Sequence, residues 1–289
     1  MIQIESLHHS YPGADSALLG KVTLDIQDGE YLAFIGPNGC GKTTLARHLN
    51  GLLIPKEGRV TVDGMDTRDK RHLGEIRRRV GMIFQNPENQ IVGTTVEEDI
   101  AFGPSNLRLP PAEIRTIVDE ALATVGLTGC GLRHPHTLSG GEKQMLAVAG
   151  ILAMKPKYIV LDEPTSSLDP VSREKVLSVV RSLNAAGIGI VHITHLMEDI
   201  VSAHRIVVLH EGMLAAEGTP QEILCRVDWL RSIGLAPPPV TDLMWQLHRK
   251  IPAIEHAAIT VGEAVSRIVV AIDGATAQRN EISEAGNRS

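Results

Sequence analysis

No stretch of this 289-residue chain approaches the ~18 consecutive apolar residues of a membrane-spanning helix, so any work at a membrane falls to a peripheral subunit. The opening residues, Met1-Ile2-Gln3-Ile4-Glu5, lack the basic and apolar zones of a secretory signal. Cysteine is scarce. Cys40, Cys130 and Cys225 are scattered without metal-ligand spacing, which fits a reduced cytosolic compartment. Positive charge is not in excess: the formal net charge of −6 argues against a general nucleic-acid binder, although a local basic patch is allowed. Against these absences, 43% hydrophobic and 21% charged residues are ordinary for a soluble globular protein with a real core. The length suits one large domain with an appendage, or two modest ones.

The chain is organised around Gly36-Pro37-Asn38-Gly39-Cys40-Gly41-Lys42-Thr43-Thr44, which fits G-x-x-x-x-G-K-[ST]. Before it, Tyr31 to Ile35 is a short apolar run suited to a buried parallel strand, and after it Thr44 to Leu49 can start a helix. Glycines let successive N–H groups turn inward onto phosphate oxygens, and the helix N-terminus adds partial positive charge. Lys42 supplies a point charge for the β- and γ-phosphates, and the Thr43 hydroxyl suits Mg²⁺. The stretch is read as a nucleotide-binding loop. Cys40 inside it is expected to alkylate readily in the empty site and to be protected by nucleotide.

Upstream, Ile2, Ile4, Val22, Leu24 and Ile26 alternate as in strands, with turns at Pro12-Gly13 and Asp28-Gly29. Tyr11, one of only three tyrosines, either stacks on adenine or is a half-buried turn residue. Downstream, Arg59 to Val62 is a strand, and the basic cluster from Arg68 to Arg79 carries interleaved acids that suit a solvated helix face. Val80 to Phe84 is an apolar strand ending on Gln85, placed to reach Mg²⁺ or a water. Helical spacing dominates from Thr95 to Leu127, read as a helical insertion. Leu138-Ser139-Gly140-Gly141-Glu142-Lys143-Gln144 opens another helix; taken alone it is an N-cap, with an anion site as the other reading. Tyr158 to Leu161 runs into Asp162 and Glu163, suited to Mg²⁺ and to activating a water. Ser166 to Pro170 turns into a helix. The strand Gly189 to Thr194 leads to His195, while His192 faces the other way and is read as structural. A hairpin around Glu211-Gly212 follows. Beyond Pro237-Pro238-Pro239, the stripes Val240/Leu243/Met244/Leu247 and Val261/Ala264/Val265/Ile268/Val269/Ile272 are helical, and the tail from Ala275 is polar and expected to fray.

In order and spacing these pieces resemble the nucleotide-binding subunits of ABC transporters over residues 1–230. The resemblance implies a P-loop α/β fold: a mixed-sheet core with an antiparallel β subdomain, a helical subdomain (86–155) and a small C-terminal helical extension. The domain expected is 1–234, with 235–289 as a dimerisation extension. It also implies roles: a phosphate loop at 36–44, a Q-loop at Gln85, a signature at Leu138–Gln144, and a D-loop at Ser166–Asp169. Asp162 and Glu163 become the Mg²⁺ ligand and base, His195 the switch histidine, and Tyr11 the adenine-stacking aromatic. Glu142 stands where the commonest signature has Gln. ATP would be sandwiched between one chain's phosphate loop and the Ser139, Gly140 and Gly141 of a second ATPase, identical or paralogous.

A finer resemblance rests on Phe84 to Val92 together with Thr95 to Gly103. Both stretches are similar to the ATPases of energy-coupling factor importers of vitamins or cobalt and nickel. This implies a transmembrane coupling protein, a separate substrate-binding membrane protein and a place on the cytoplasmic face of the membrane. The alternatives are a soluble ABC ATPase acting on DNA, ribosomes or cluster assembly, and a P-loop kinase. The segment from Lys42 to Ser139 is too short for a long coiled coil, only one phosphate loop is present, and a kinase leaves Ser139 to Gly141 and His195 without purpose.

Overall fold

The computed structural model describes residues 1–13 and 17–286, with side chains through Gly274. It divides into two compact units, Met1–His195 with Ala203–Glu217, and Leu196–Ser202 with Gly218–Ser289.

The first unit holds two sheets. In one, β1 (Ile2–His9) pairs antiparallel with β2 (Leu19–Ile26) and β4 (Glu57–Val62), and β4 pairs with the short β5 (Met65–Asp66). Alternation works as expected: Ile2, Ile4, Leu24 and Ile26 turn inward and are buried. The other sheet has the order β10-β9-β3-β8-β7-β6. Its members are β3 (Tyr31–Ile35), β6 (Val80–Ile83), β7 (Tyr158–Asp162), β8 (Gly189–Ile193), β9 (Arg205–His210) and β10 (Met213–Gly218). Strands β3, β7 and β8 are buried along their whole length, so they read as continuous apolar runs. The pairs β9–β3, β3–β8, β8–β7 and β7–β6 are all parallel. Their carboxyl ends therefore lie along one edge.

Helix α1 (Lys42–Leu49) follows β3, and α2 (Leu73–Arg79) precedes β6. The basic cluster is neutralised locally: Arg68 pairs with Asp66, Arg71 with Asp69, and Arg79 with Asp63 and Glu75. The helical segment comprises α3 (Val96–Asn106), α4 (Pro111–Thr124) and α5 (Gly140–Leu152). Thr95 and Glu98 form a capping box on α3, and α6 (Pro170–Ala185) connects β7 to β8.

In the second unit, α7 (Pro220–Leu224) and α8 (Val227–Ser232) precede α9 (Pro239–Lys250) and α10 (Val261–Gly286). Met244, Ile254, Ala258 and Ala264 form a buried cluster in it, with Val240, Leu247 and Ile268 packed on that cluster. The stripe on α10 divides: Ala264 turns inward, while Val261, Val265, Val269 and Ile272 remain exposed. The backbone of α10 continues past Ala275 to Gly286, and the side chains of that tail lie outside those described.

An ion-pair network ties distant parts of the first unit together. Asp63 accepts from Lys157, the Met1 amino group and Arg79, while Asp28 accepts from Lys157, the same amino group and Tyr158. Burial works to raise the Asp63 carboxyl, but the three cations outweigh it and hold the pKa near about 2. A depressed carboxylate contributes stability that is complete above its unfolded pKa near 4 and is lost as pH falls toward 2. Chemical denaturation of Asp63→Asn at pH 7 is expected to show a loss of roughly 2 kcal/mol, and a flatter stability profile between pH 4 and pH 2 than the parent.

Candidate functional site

The phosphate loop leaves β3 and is laid directly over β9. A Cβ on Gly36 would stand 2.1 Å from the Leu209 carbonyl oxygen, so only glycine permits that approach. Gly41, at φ 106°, is in the left-handed region and turns the chain into α1. Pro37, Asn38 and Gly39 form the loop tip, with Asn38 and Gly39 exposed. Lys42 is only 7% exposed, and its ammonium donates to the carbonyls of Gly36 at 2.7 Å and Pro37 at 3.0 Å. The loop thus holds a desolvated cation on its own backbone, an arrangement that can exchange carbonyl oxygens for phosphate oxygens.

Three strand ends meet beside it. The Thr43 hydroxyl donates to Asp162 at 3.0 Å, joining the start of α1 to the end of β7. Burial lifts the Asp162 carboxyl above its ordinary range, opposed by the Thr43 bond and reinforced by the charge of Glu163. Glu163 sits at φ 50°, a left-handed conformation unusual for a non-glycine residue, and its N–H donates to the Ile193 carbonyl at 2.8 Å. Its carboxylate is gripped from both sides. Gln85 Nε2, from the end of β6, donates at 3.1 Å, and His195 Nδ1, from the end of β8, lies at 3.3 Å. His192 takes no part: it is fully buried with Nδ1 2.9 Å from the Tyr31 hydroxyl, and burial lowers its pKa to about 3.

Tyr11 stands next to the loop, its hydroxyl 3.1 Å from Thr44 Oγ1, with 39% of its surface exposed. Its ring meets His9 edge-on at 4.9 Å, and His9 meets His48 at 4.8 Å. No sequence pattern singled out these two buried histidines, because the contact joins residues 39 positions apart, the end of β1 and α1. Asp169 caps α6, accepting from Val171 N at 3.0 Å and Ser172 N at 3.1 Å.

The signature opens α5. Ser139 caps α5 in a capping box with Glu142, and Ser139 and Gly141 line a cavity of about 510 Å³ with residues of α4 and α6. Gly140 faces a second pocket of about 370 Å³ that also includes Gln85 and Glu163. No phosphate-loop residue lines either cavity.

The ABC transporter family model matches residues 19–166, just over half of the chain. This chain belongs to that family. It is accordingly an ATP-binding ATPase. The cobalt import ATP-binding protein CbiO of Syntrophus aciditrophicus (strain SB) is 55% identical over 247 residues, 86% of this chain and 88% of that protein. The energy-coupling factor transporter ATP-binding protein EcfA1 of Clostridium novyi (strain NT) is 46% identical over 272 residues, 93% of this chain and 97% of the relative. Among solved structures, cbiO1 of Clostridium perfringens, described as part of the ABC transporter complex cbiONQ, superposes with a TM-score of 0.74. It is 30% identical, with 87% of this chain and 95% of that one covered. A dimeric ATP-binding cassette, MJ0796, in a post-hydrolysis state with ADP and Pi gives 0.69 at 30% identity, covering 76% of this chain and 99% of the other.

Cys40 corrects the sequence expectation of a readily alkylated thiol. Its side chain is turned under the loop, 7% exposed, with Sγ where a Gly36 Cβ would come within 2.7 Å. Burial also raises the thiol pKa, with Lys42 only partly opposing, so little thiolate is present at neutral pH. In the nucleotide-free native chain, mass-spectrometric tracking of iodoacetamide labelling is expected to show Cys40 reacting at least about tenfold more slowly than after denaturation.

Proposed function

We propose that this chain is the ATPase subunit of an energy-coupling factor importer of vitamins or transition-metal ions, peripheral on the cytoplasmic face of the membrane. The observation that carries the reading is Glu163 held between Gln85 and His195 at the sheet edge where Lys42, Thr43 and Asp162 converge. The relatives named for cobalt import and for energy-coupling factor transport supply the transport context.

In this reading the N–H groups from Gly36 to Thr44, with Lys42, cradle the β- and γ-phosphates, and Tyr11 stacks on the adenine. Glu163 takes the proton of the attacking water, while His195 and Gln85 orient that carboxylate and sense the γ-phosphate. The donor set suits magnesium: a hydroxyl from Thr43, an amide oxygen from Gln85 and the desolvated Asp162 carboxylate are hard oxygen ligands that leave room for phosphate and water. Bound there, magnesium would neutralise charge on the β- and γ-phosphate oxygens. Ser139, Gly140 and Gly141 serve the nucleotide of a second ATPase, identical or paralogous, with Asp169 at the seam. Ser139 and Gly141 line a cavity with α4 and α6 that includes no phosphate-loop residue, which supports that division.

Residues 1–234 are proposed as the nucleotide-binding domain and 235–289 as the pairing extension. Opening and closing of the pair is passed from the Gln85 region to a transmembrane coupling protein, and a separate membrane protein binds the solute. No helix among the described residues is long and apolar enough to cross a membrane, so spanning falls to such partners.

Glu163→Gln is expected to cut kcat by about 10²–10⁴-fold and to trap an ATP-bound pair on gel filtration; near-parental turnover removes the residue from the base role. Lys42→Ala is expected to abolish ATP binding in equilibrium titration. The transport reading is tested by purifying the tagged chain from detergent-extracted membranes. A multi-span coupling protein with a small membrane binding protein is the expected companion set, and recovery with ribosomal or DNA-associated partners alone contradicts it.

A further inference from the structure

Glu142 puts a carboxylate in the first turn of α5, next to the residues that read a phosphate. One consequence is favourable, since an acid near a helix N-terminus stabilises the helix. The other is not, because the same positive end is what attracts an anion. The structure answers with Arg133. Its Nη1 donates to Glu142 Oε1 at 3.0 Å, while Glu142 Oε2 accepts the Ser139 N–H at 2.7 Å. Both carboxylate oxygens are therefore engaged, one by the capped serine and one by a cation. The Ser139 Oγ accepts from Glu142 N–H at 3.3 Å, which directs its own proton away from the helix.

Arg133 is presented by a fixed backbone. Its carbonyl accepts from Val96 N–H at 3.0 Å, its N–H donates to Cys130 O at 2.9 Å, and Nη2 donates to Thr137 O at 3.0 Å. The guanidinium fork thus spans from the loop before the signature to the first turn of α5, with Nη1 also 3.7 Å from Cys130 Sγ.

We propose that Arg133 is a positioning residue of the signature: it holds Glu142, and through it Ser139, and offsets the Glu142 charge where a partner chain's γ-phosphate is read. This rests on the reading in which Ser139 to Gly141 complete a second chain's ATP site. A glutamine at position 142 would need no such cation, because its amide oxygen can accept the Ser139 N–H without bringing charge. Arg133 and Glu142 work as a compensated pair, and removing the cation alone leaves an unopposed anion beside an anion site.

The test is a double-mutant cycle on the full chain, with MgATP hydrolysis measured for the parent, Arg133→Gln, Glu142→Gln and the double variant. The Arg133 side chain is 40% exposed, so its loss does not open the core. With Glu142 present, Arg133→Gln is expected to raise KM about threefold to tenfold with a smaller change in kcat, as fits a partly exposed charge pair. In the Glu142→Gln background the same change is expected to cost less than about twofold. An equal cost in both backgrounds reduces Arg133 to a loop anchor through Thr137 and overturns the proposal, as does no cost in either. ATP-driven pairing of a Glu163→Gln chain, followed by light scattering, separates the layers. Absence of pairing, both with itself and with a paralogous ATPase from the same cells, removes the shared-site reading beneath the proposal. Pairing together with equal costs removes the proposal alone.

Discussion

The parallel pairing of β3 with both β8 and β9, extended through β7 to β6, is the constraint on which the site depends. Five strands running the same way deliver five carboxyl ends to one edge, and four of those ends carry the phosphate loop, Gln85, Asp162-Glu163 and His195. Residues up to 119 positions apart, Thr43 and Asp162, are neighbours only because of this register. An antiparallel β3 would send the loop to the opposite edge and leave Asp162 without Thr43. The long apolar runs of β3, β7 and β8 are the sequence cost of burying both faces of such a sheet.

At that edge three residues sit in unusual surroundings. Lys42 is desolvated on backbone carbonyls, Asp162 is a buried carboxylate whose charged form is disfavoured, and Glu163 is kept in a left-handed conformation by its neighbours. The burial of the Asp162 carboxylate and the left-handed backbone of Glu163 each cost free energy in the isolated chain. The fold supports the strain by tying the Glu163 backbone to Ile193 and its carboxylate to Gln85 and His195.

Charge is balanced locally in two other places. The Asp28 and Asp63 carboxylates gather the Met1 amino group, Lys157 and Arg79 at the base of the sheet, and Arg133 answers Glu142 at the signature. The net −6 charge therefore says little about any single site: each function sits in a neighbourhood whose own balance is set by two or three side chains.

Much of this was legible in the sequence, because backbone-driven chemistry leaves local marks. Gly36 and Gly41 are required by close approach and a left-handed turn, Lys42-Thr43 follows at fixed spacing, and Asp162-Glu163 ends an apolar strand. Strand periodicity, the order of the motifs and the identity of the phosphate chemistry needed nothing beyond neighbours in the chain. The tertiary structure decided what depends on distant packing. It buried Cys40 beneath Gly36, which the loop's composition could not foretell, and it set the His9 ring against both Tyr11 and His48. It divided the α10 stripe into a buried and an exposed part, and it brought Arg133 to Glu142 across a turn that carries no pattern of its own. Local propensity and spacing fix which groups a chain offers; only the register of strands and the packing of helices fix which of those groups meet.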